Sequence, residues 1–443
     1  MLRVCVVGSS VAGLTSAALL SRSALVKSVT VIDPASQRQC DHFSTGLWSS
    51  ALAVLRHLGE DLVRSSGFVE ASGFRSSSGV ALCEPRTTLG PFGGDAATPS
   101  LHFVRNSVLL EALRRAAARS GKLSTVAERV VRVRCSNGGG PVTAVCSGGD
   151  EHDCDLLLIA DGMLSPLREQ LCSLPHEAFL RHRGYRVYYG HTSERVSGSS
   201  FQSWGDGKRF ACVPTDTGNQ WFATVPSSPP GLGIECIASG PLSSTSRAVP
   251  QQDLRVLQQE FFAGWHPEVA ALLSSSAVTG AVRSCEAVAF SAVPSRGSTL
   301  FSRHEVLFMG DSGFTLDPIL AQGAGLAIEE AALYCHSLLC AAEGPKARAG
   351  GDVLSSILRR AASGGAAGAD TKALLSRAAK IYAALIFDRR RRLFFLSDAS
   401  QLLGSLCAGA ATRNALLRAT PAALKGRVFD ALIGVSNGNG LRA

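Results

Sequence analysis

Short apolar runs alternate with longer stretches of helical spacing along the first third of this chain. Residues 2–8, LRVCVVG, form a short β-branched run suited to a central parallel strand buried on both faces. VAGLTSAALLSRSA follows with helical spacing, and KSVTVID makes a second strand ending in Asp33, so residues 1–35 predict a β-α-β unit. Residues 44–64 predict a helix, SLHFVRN a strand and SVLLEALRRAAARSG another helix. AERVVRVRCS and VTAVCSGGDEHDCDLLLIADG predict hairpin strands and then a returning strand. Between 184 and 240 the pattern turns to β, in GYRVYYGHT, FQSWGDG, RFACVPTD and QWFATVPS. Helical spacing returns with LRVLQQEFFAGWHPEVAALL, and one more strand, EVLFMGD, leads into the helix AQGAGLAIEEAALYCHSLL. Residues 341–370 are Gly/Ala-rich and weakly patterned, the composition of a loop or flexible insertion. Residues 371–443 are mostly helical in pattern, and there are no internal repeats.

With 443 residues, 46 % of them hydrophobic and 18 % charged, the chain has the material for a large core and is not disordered as a whole. The formal net charge of +9 favours an anionic cofactor, an acidic substrate or an anionic membrane. Much of it is local, in DRRRRLFF at 388–395, which reads as a solvated helix face. Aromatic residues do not interleave with a basic stripe, so a nucleic-acid partner is not expected. The 13 Cys are scattered without paired spacing, which indicates free thiols and no zinc site. No uninterrupted apolar run is long enough for a transmembrane helix, and Gly8-Ser9-Ser10 breaks the stretch that would otherwise resemble a secretory signal. A cytoplasmic location is the resulting expectation.

Three strand-end motifs carry candidate chemistry. In the first, Gly8, Ser10 and Gly13 occupy the G-x-G-x-x-G positions, with Asp33 following at the separation expected of an acid that takes ribose hydroxyls. Such a turn brings the backbone N–H groups of Val11, Ala12 and Gly13 toward a pyrophosphate at a helix N-terminus. Ser10 is small enough to be tolerated at the middle position, and an ordinary strand–turn–helix is the alternative. The second is LLLIADGMLSPLR, where Asp161 and Gly162 end a strand; a turn aspartate with a capping role is the alternative. The third is VLFMGDSGFTLDPILAQGAGLAIEEA. There Gly310-Asp311 ends a strand, Pro318 begins a turn, and Gln322, Gly323 and Ala324 open a helix whose dipole would favour developing negative charge.

In this order the three motifs resemble the single-component FAD-dependent aromatic monooxygenases, the para-hydroxybenzoate hydroxylase-like flavoproteins. Similarity is greatest to the salicylate hydroxylase and zeaxanthin epoxidase branch, and it extends over nearly the whole chain: RFACVPTDTGNQWFATVP, HPEVAALL, GLAIEEA and IYAALIFDRRRR each resemble segments of that branch. The resemblance implies an α/β fold, with a Rossmann-like FAD-binding domain, an inserted β-sheet substrate domain and a helical C-terminus. The expected divisions are 1–175 and 291–340 for FAD binding, 176–290 for the mainly β substrate domain, 341–370 for the insertion and 371–443 for the helical end. It also implies that the first motif and Arg105 hold the ADP half of FAD, that Asp161-Gly162 serves FAD and the passing NAD(P)H, and that Gly310-Asp311 holds the flavin ribitol.

The implied reaction uses NAD(P)H and O2, with oxygen added at flavin C4a and passed to a small aromatic or similar organic substrate. Pro318 and Gln322 then belong to the flavin environment. No general base is identifiable. Tyr188, Tyr189, His191, Trp204 and Trp221 of the β region read as core packing at least as readily as substrate contacts. The chain departs from the family pattern at Ser10, at Gly310-Asp311-Ser312-Gly313-Phe314, where GDAAH is usual, and at Ala321, where a glycine is usual. An epoxidase, a quinone-precursor hydroxylase or a catalytically impaired FAD-binding protein on the same scaffold are the alternatives.

Overall fold

The computed structural model describes residues 1–34, 44–62, 67–68, 73–83, 101–135, 141–215, 218–227, 246–279, 282–294, 304–343, 353, 357, 370–405 and 410–421. Strand β1 (Leu2–Val7) runs into helix α1 (Val11–Leu20) and β2 (Val26–Ile32). Helix α2 (Ser49–His57), β3 (Leu101–Arg105), α3 (Asn106–Ala118) and β4 (Leu123–Val126) follow. An antiparallel sheet of Val130–Cys135, Val142–Cys146 and Glu151–Cys154 then leads to β5 (Leu156–Ile159) and α4 (Pro166–Cys172).

The long strands β6 (Leu180–Thr192), β7 (Phe201–Trp204), β8 (Arg209–Thr215) and β9 (Gly218–Pro226) come next, with α5 (Gln251–Val256), α6 (Pro267–Thr279) and β10 (Arg283–Phe290). The chain returns through β11 (Val306–Phe308) and closes with α7 (Gly323–Glu343), α8 (Thr371–Ser405) and α9 (Ala410–Ala419).

Five strands pair in the order β11-β5-β1-β2-β4, all parallel. β1 and β5 are almost wholly apolar because both faces of the sheet are covered, by helices and by the three-stranded antiparallel sheet; Val4, Val6, Leu156, Leu157, Leu158 and Ile159 are buried, and only Arg3 near the start of β1 is charged. One contiguous core joins this sheet to α1, α3, α7 and α8. A second sheet of eight strands contains β10-β6-β9-β8-β7 and continues through Gly73–Ser76 and Ala81–Cys83. Its residues alternate in facing. Phe201, Phe210, Cys212, Trp221 and Ala223 pack on α5 and α6 as a separate core, while Arg209, Ala211, Val213 and Phe222 face the other way.

Three expectations need correction. Residues 44–64 are not one helix: Ser44–Trp48 is a strand paired antiparallel with β3, and only Ser49–His57 is helical. That strand's partner lies more than fifty residues away, so local periodicity could not reveal it. Arg389 and Arg390 are buried, not solvated, whereas Arg391 and Arg392 of the same run are exposed. Most of 344–369 lies outside the described residues, but Val353 and Ile357 within it are helical and buried in the main core.

Trp221 is a core residue. Its indole N–H donates to Ser276 Oγ at 2.6 Å and its ring stacks on Phe210 at 5.3 Å. Trp221→Phe is expected to lower unfolding free energy by about 2 kcal/mol in urea denaturation while leaving FAD affinity unchanged. Weaker FAD binding at unaltered stability would reverse the assignment of Trp221 to the core.

Candidate cofactor and substrate site

The sheet order sets neighbouring strand ends side by side. β11, β5, β1 and β2 all finish at the same edge, so the loops after them meet. Gly8 has φ +100°, and a Cβ there would lie 2.4 Å from the Ala160 carbonyl oxygen; at Gly13 a Cβ would lie 2.0 Å from the Gly8 carbonyl oxygen. Only glycine permits this close approach of turn, helix and neighbouring strand. Ser10 is more than tolerated. It is the N-cap of α1, its Oγ accepting from Gly13 N at 3.4 Å and donating to Ala160 O at 3.0 Å. Asp33 Oδ2 accepts from both the backbone N–H and the hydroxyl of Ser9, each at 2.6 Å.

After β5, Asp161 Oδ2 accepts from Ser165 Oγ at 2.9 Å, and Ser165 in turn caps α4 at Arg168 N. Asp161 Oδ1 is buried with no hydrogen-bond partner. Arg168 is fully buried, donating to Ser312 O at 2.9 Å and Met163 O at 2.7 Å between the rings of Phe179 and Phe290. It therefore ties the loop after β5 to the turn after β11. Asp311 in that turn has exposed area yet is densely surrounded by protein. Burial pushes the Asp161 carboxyl up to about 6. Burial, reinforced by the charge of Glu330, pushes Asp311 up to about 6 as well.

The structure thus brings together Gly8, Ser10, Val11, Ala12, Gly13, Asp33, Asp161, Gly162, Gly310 and Asp311 at one edge. Arg105 ends β3 on another sheet, where it is exposed. Pro318 opens a short turn, Ala321 follows in the left-handed region at φ +51°, and α7 begins at Gly323 with Ala324 in its first turn. Gln322 is fully buried and neither of its amide atoms has a hydrogen-bond partner.

Sequence reasoning missed what faces this turn. Asp317 Oδ1 accepts from Ile319 N at 3.0 Å and from the Tyr185 hydroxyl, and its Oδ2 accepts from Arg183 Nε at 2.6 Å. Ala321 packs with Phe103, Val213 and Phe222 in a small apolar cluster. Arg209, on the same face of β8 as Val213, is buried over the Tyr185 ring at 5.7 Å and makes no hydrogen bond or ion pair among the described residues. The two-residue alternation of RFACVPT was the available signal, since it separates Arg209, Ala211 and Val213 from Phe210 and Cys212.

Glycine-lined turns at adjacent parallel strand ends, with a helix N-terminus behind the first, define an α/β protein built for an extended dinucleotide. The orphaned polar atoms of Asp161 and Gln322 fit such a ligand, since buried polar groups find partners. Residues 1–362 match the family described as "FAD binding domain", and the chain belongs to it. It is a flavoprotein of the FAD-dependent monooxygenase type.

Over 205 residues it is 30% identical to the Aurachin C monooxygenase/isomerase of Stigmatella aurantiaca, covering 45% of this chain and 47% of that protein. Over 348 residues it is 23% identical to the FAD-dependent urate hydroxylase of Klebsiella pneumoniae, covering 74% and 79% respectively. The solved structure of Klebsiella pneumoniae HpxO complexed with FAD and uric acid superposes with a TM-score of 0.71 at 20% identity, over 98% of this chain and 96% of that one. A salicylate hydroxylase substrate complex gives 0.66 at 17%, over 100% and 98%. No helix among the described residues is long and apolar enough to cross a membrane.

The two carboxyls give this site a pH signature. Each ionises near 3.8 in the unfolded chain and about 6 in the fold, so between those values the fold holds more protons. The penalty for ionising them in the fold is absent below about pH 4, grows as pH rises, and is complete above about pH 6. In cofactor-free protein, Asp161→Asn with Asp311→Asn is expected to flatten this part of the stability–pH curve, measured by denaturant titration across that range. An unchanged slope would contradict the burial of these groups.

Proposed function

We propose that the protein hydroxylates a flat, electron-rich aromatic or heteroaromatic acid, with NAD(P)H and O2 as co-substrates. The observation that carries this reading is Arg209, a buried guanidinium that makes no ion pair among the described residues, on the sheet face that also presents Val213 and Phe222 to Ala321. Bound FAD supplies the oxygen activation, with electrons from NAD(P)H. The loops bearing Gly8–Gly13, Asp33 and Asp161 hold its dinucleotide portion, and Gly310-Asp311 its ribitol. Pro318 shapes the wall beside the ring, and the start of α7 from Gln322 aims backbone N–H groups at negative charge there.

The substrate ring lies against Phe103, Val213, Phe222 and Ala321, where water is excluded. Its anionic group pairs with Arg209, which turns a costly unpaired buried cation into a specificity element. Tyr185 holds Asp317 in place and supports Arg209 from the ring face. The relatives named for urate, 6-hydroxynicotinate and salicylate all take their names from ring acids, which accords with this class.

Urate, 6-hydroxynicotinate and salicylate form a suitable first panel. At least one is expected to accelerate NAD(P)H oxidation with product in proportion to O2 consumed. Arg209→Met is then expected to raise KM for that acid by about 10- to 100-fold, the loss typical of a hydrogen bond to a charged group, and to divert reducing equivalents to peroxide. Stimulation by neutral quinols or polyenes alone, indifferent to Arg209→Met, would remove this reading.

A further inference from the structure

Helix α8 lies beyond residues 1–362, the part of the chain that matches the family, yet it reaches the cofactor edge from behind. Arg390, buried on α8, holds Glu330 of α7 with Nε to Oε1 at 2.8 Å. Glu330 is itself fully buried, and its other oxygen, Oε2, accepts from the backbone N–H of Gly310 at 2.9 Å. The guanidinium also covers the Phe314 ring at 5.4 Å and approaches Gly313. One turn of β11's exit is therefore gripped at three points by a single ion pair. A parallel pair, Arg389 to Glu329 at 2.7 Å, fixes the same two helices beside it, with the Ser50 hydroxyl donating to Glu329.

Two buried charges are a poor source of net stability, since desolvation offsets much of their attraction. Their placement has a geometric consequence instead. Gly310 adopts φ +60°, and a Cβ there would lie 2.7 Å from the Ala12 Cβ, so this peptide is set directly against the first turn of α1. Its N–H has one acceptor, and that acceptor's orientation is set from α8.

We propose that Glu330 and Arg390 are positioning residues for the cofactor: through them α8 fixes the Gly310-Asp311 turn in the geometry that receives the ribitol chain. This rests on the reading that the turn meets FAD. The Arg390 guanidinium holds the Glu330 carboxyl in place, and Glu330 Oε2 orients the Gly310 peptide. Asp311 itself lies within reach of the charges of Glu330 and Arg168. The C-terminal helix is thereby part of the cofactor site without touching the cofactor.

The test compares FAD dissociation constants, by flavin fluorescence titration of the full chain, with melting temperatures of the same proteins. Glu330→Leu with Arg390→Met removes both charges without stranding either, but leaves the Gly310 N–H without its acceptor. It is expected to bind FAD at least tenfold more weakly while melting within a few degrees of the parent. Glu330→Gln with Arg390→Met restores a carbonyl acceptor for Gly310 but not its anchor on α8, and is expected to recover affinity in part, staying about three- to tenfold weaker than the parent.

Arg390→Lys alone is the milder arm. It keeps the charge but loses the fixed Nε contact, so a three- to tenfold weaker FAD complex is expected at an unchanged melting temperature. Parental affinity in the Leu/Met or Lys proteins, or equal loss in the Gln/Met and Leu/Met proteins, would overturn the proposal. Should the Leu/Met protein fail to fold, the Lys and Gln/Met proteins decide by the same criteria. A parent that binds no FAD would instead overturn the reading of the turn as a cofactor contact.

Discussion

The hydrogen bond from Ser10 Oγ to the Ala160 carbonyl is the smallest link on which the site depends. It joins the first turn of α1 to the end of β5, across two strands far apart in sequence but adjacent in the sheet. Backbone contacts do the rest. Gly8 N donates to Ile32 O and Ala160 N to Val7 O, so the exits of β2, β1 and β5 are fixed in succession. Arg168 extends the chain of contacts to the turn after β11. Each loop supplies partners that its neighbour's buried polar groups lack, which is the condition for non-regular backbone to pack closely. The concave edge results from that mutual satisfaction.

Much of this edge was legible in the sequence because its requirements are local. A parallel strand buried on both faces must be apolar throughout, and a sharp turn into a helix needs glycine at fixed offsets. Gly8, Gly13, Asp33, Asp161 and Asp311 all fall within a few residues of such a strand, so each could be named from its neighbours. Ser10 was legible as a small residue, but not as a cap, because its second partner, Ala160, is set by sheet order.

The proposed substrate face was not legible for the opposite reason. Arg209, Tyr185, Asp317 and Arg183 come from a strand, a second strand and a turn, and only their meeting gives them meaning. Arg389 and Arg390 misled in the same way. Four consecutive arginines resemble a solvated face until two acids on another helix are known to face two of them. A charge's burial depends on its partner, and the partner's position is tertiary information.

Ala321 shows how the two kinds of information combine. A non-glycine residue in the left-handed region costs on the order of 1 kcal/mol, and here the strained residue stands at the junction of the Pro318 turn and α7. Its backbone is over-determined: its N–H donates to Pro318 O, and Asp317 is pinned by Tyr185 and Arg183. Its methyl group joins Phe103, Val213 and Phe222, adding apolar surface to the wall that a glycine would leave open. The gain and the strain are of similar size, because burying one methyl recovers roughly 0.8 kcal/mol. Such a balance leaves the residue near-neutral for folding, and its consequence falls on the shape of the apolar wall it joins. On the proposed reading of the site, the departure from glycine at this position constrains which substrates fit rather than damaging the cofactor site.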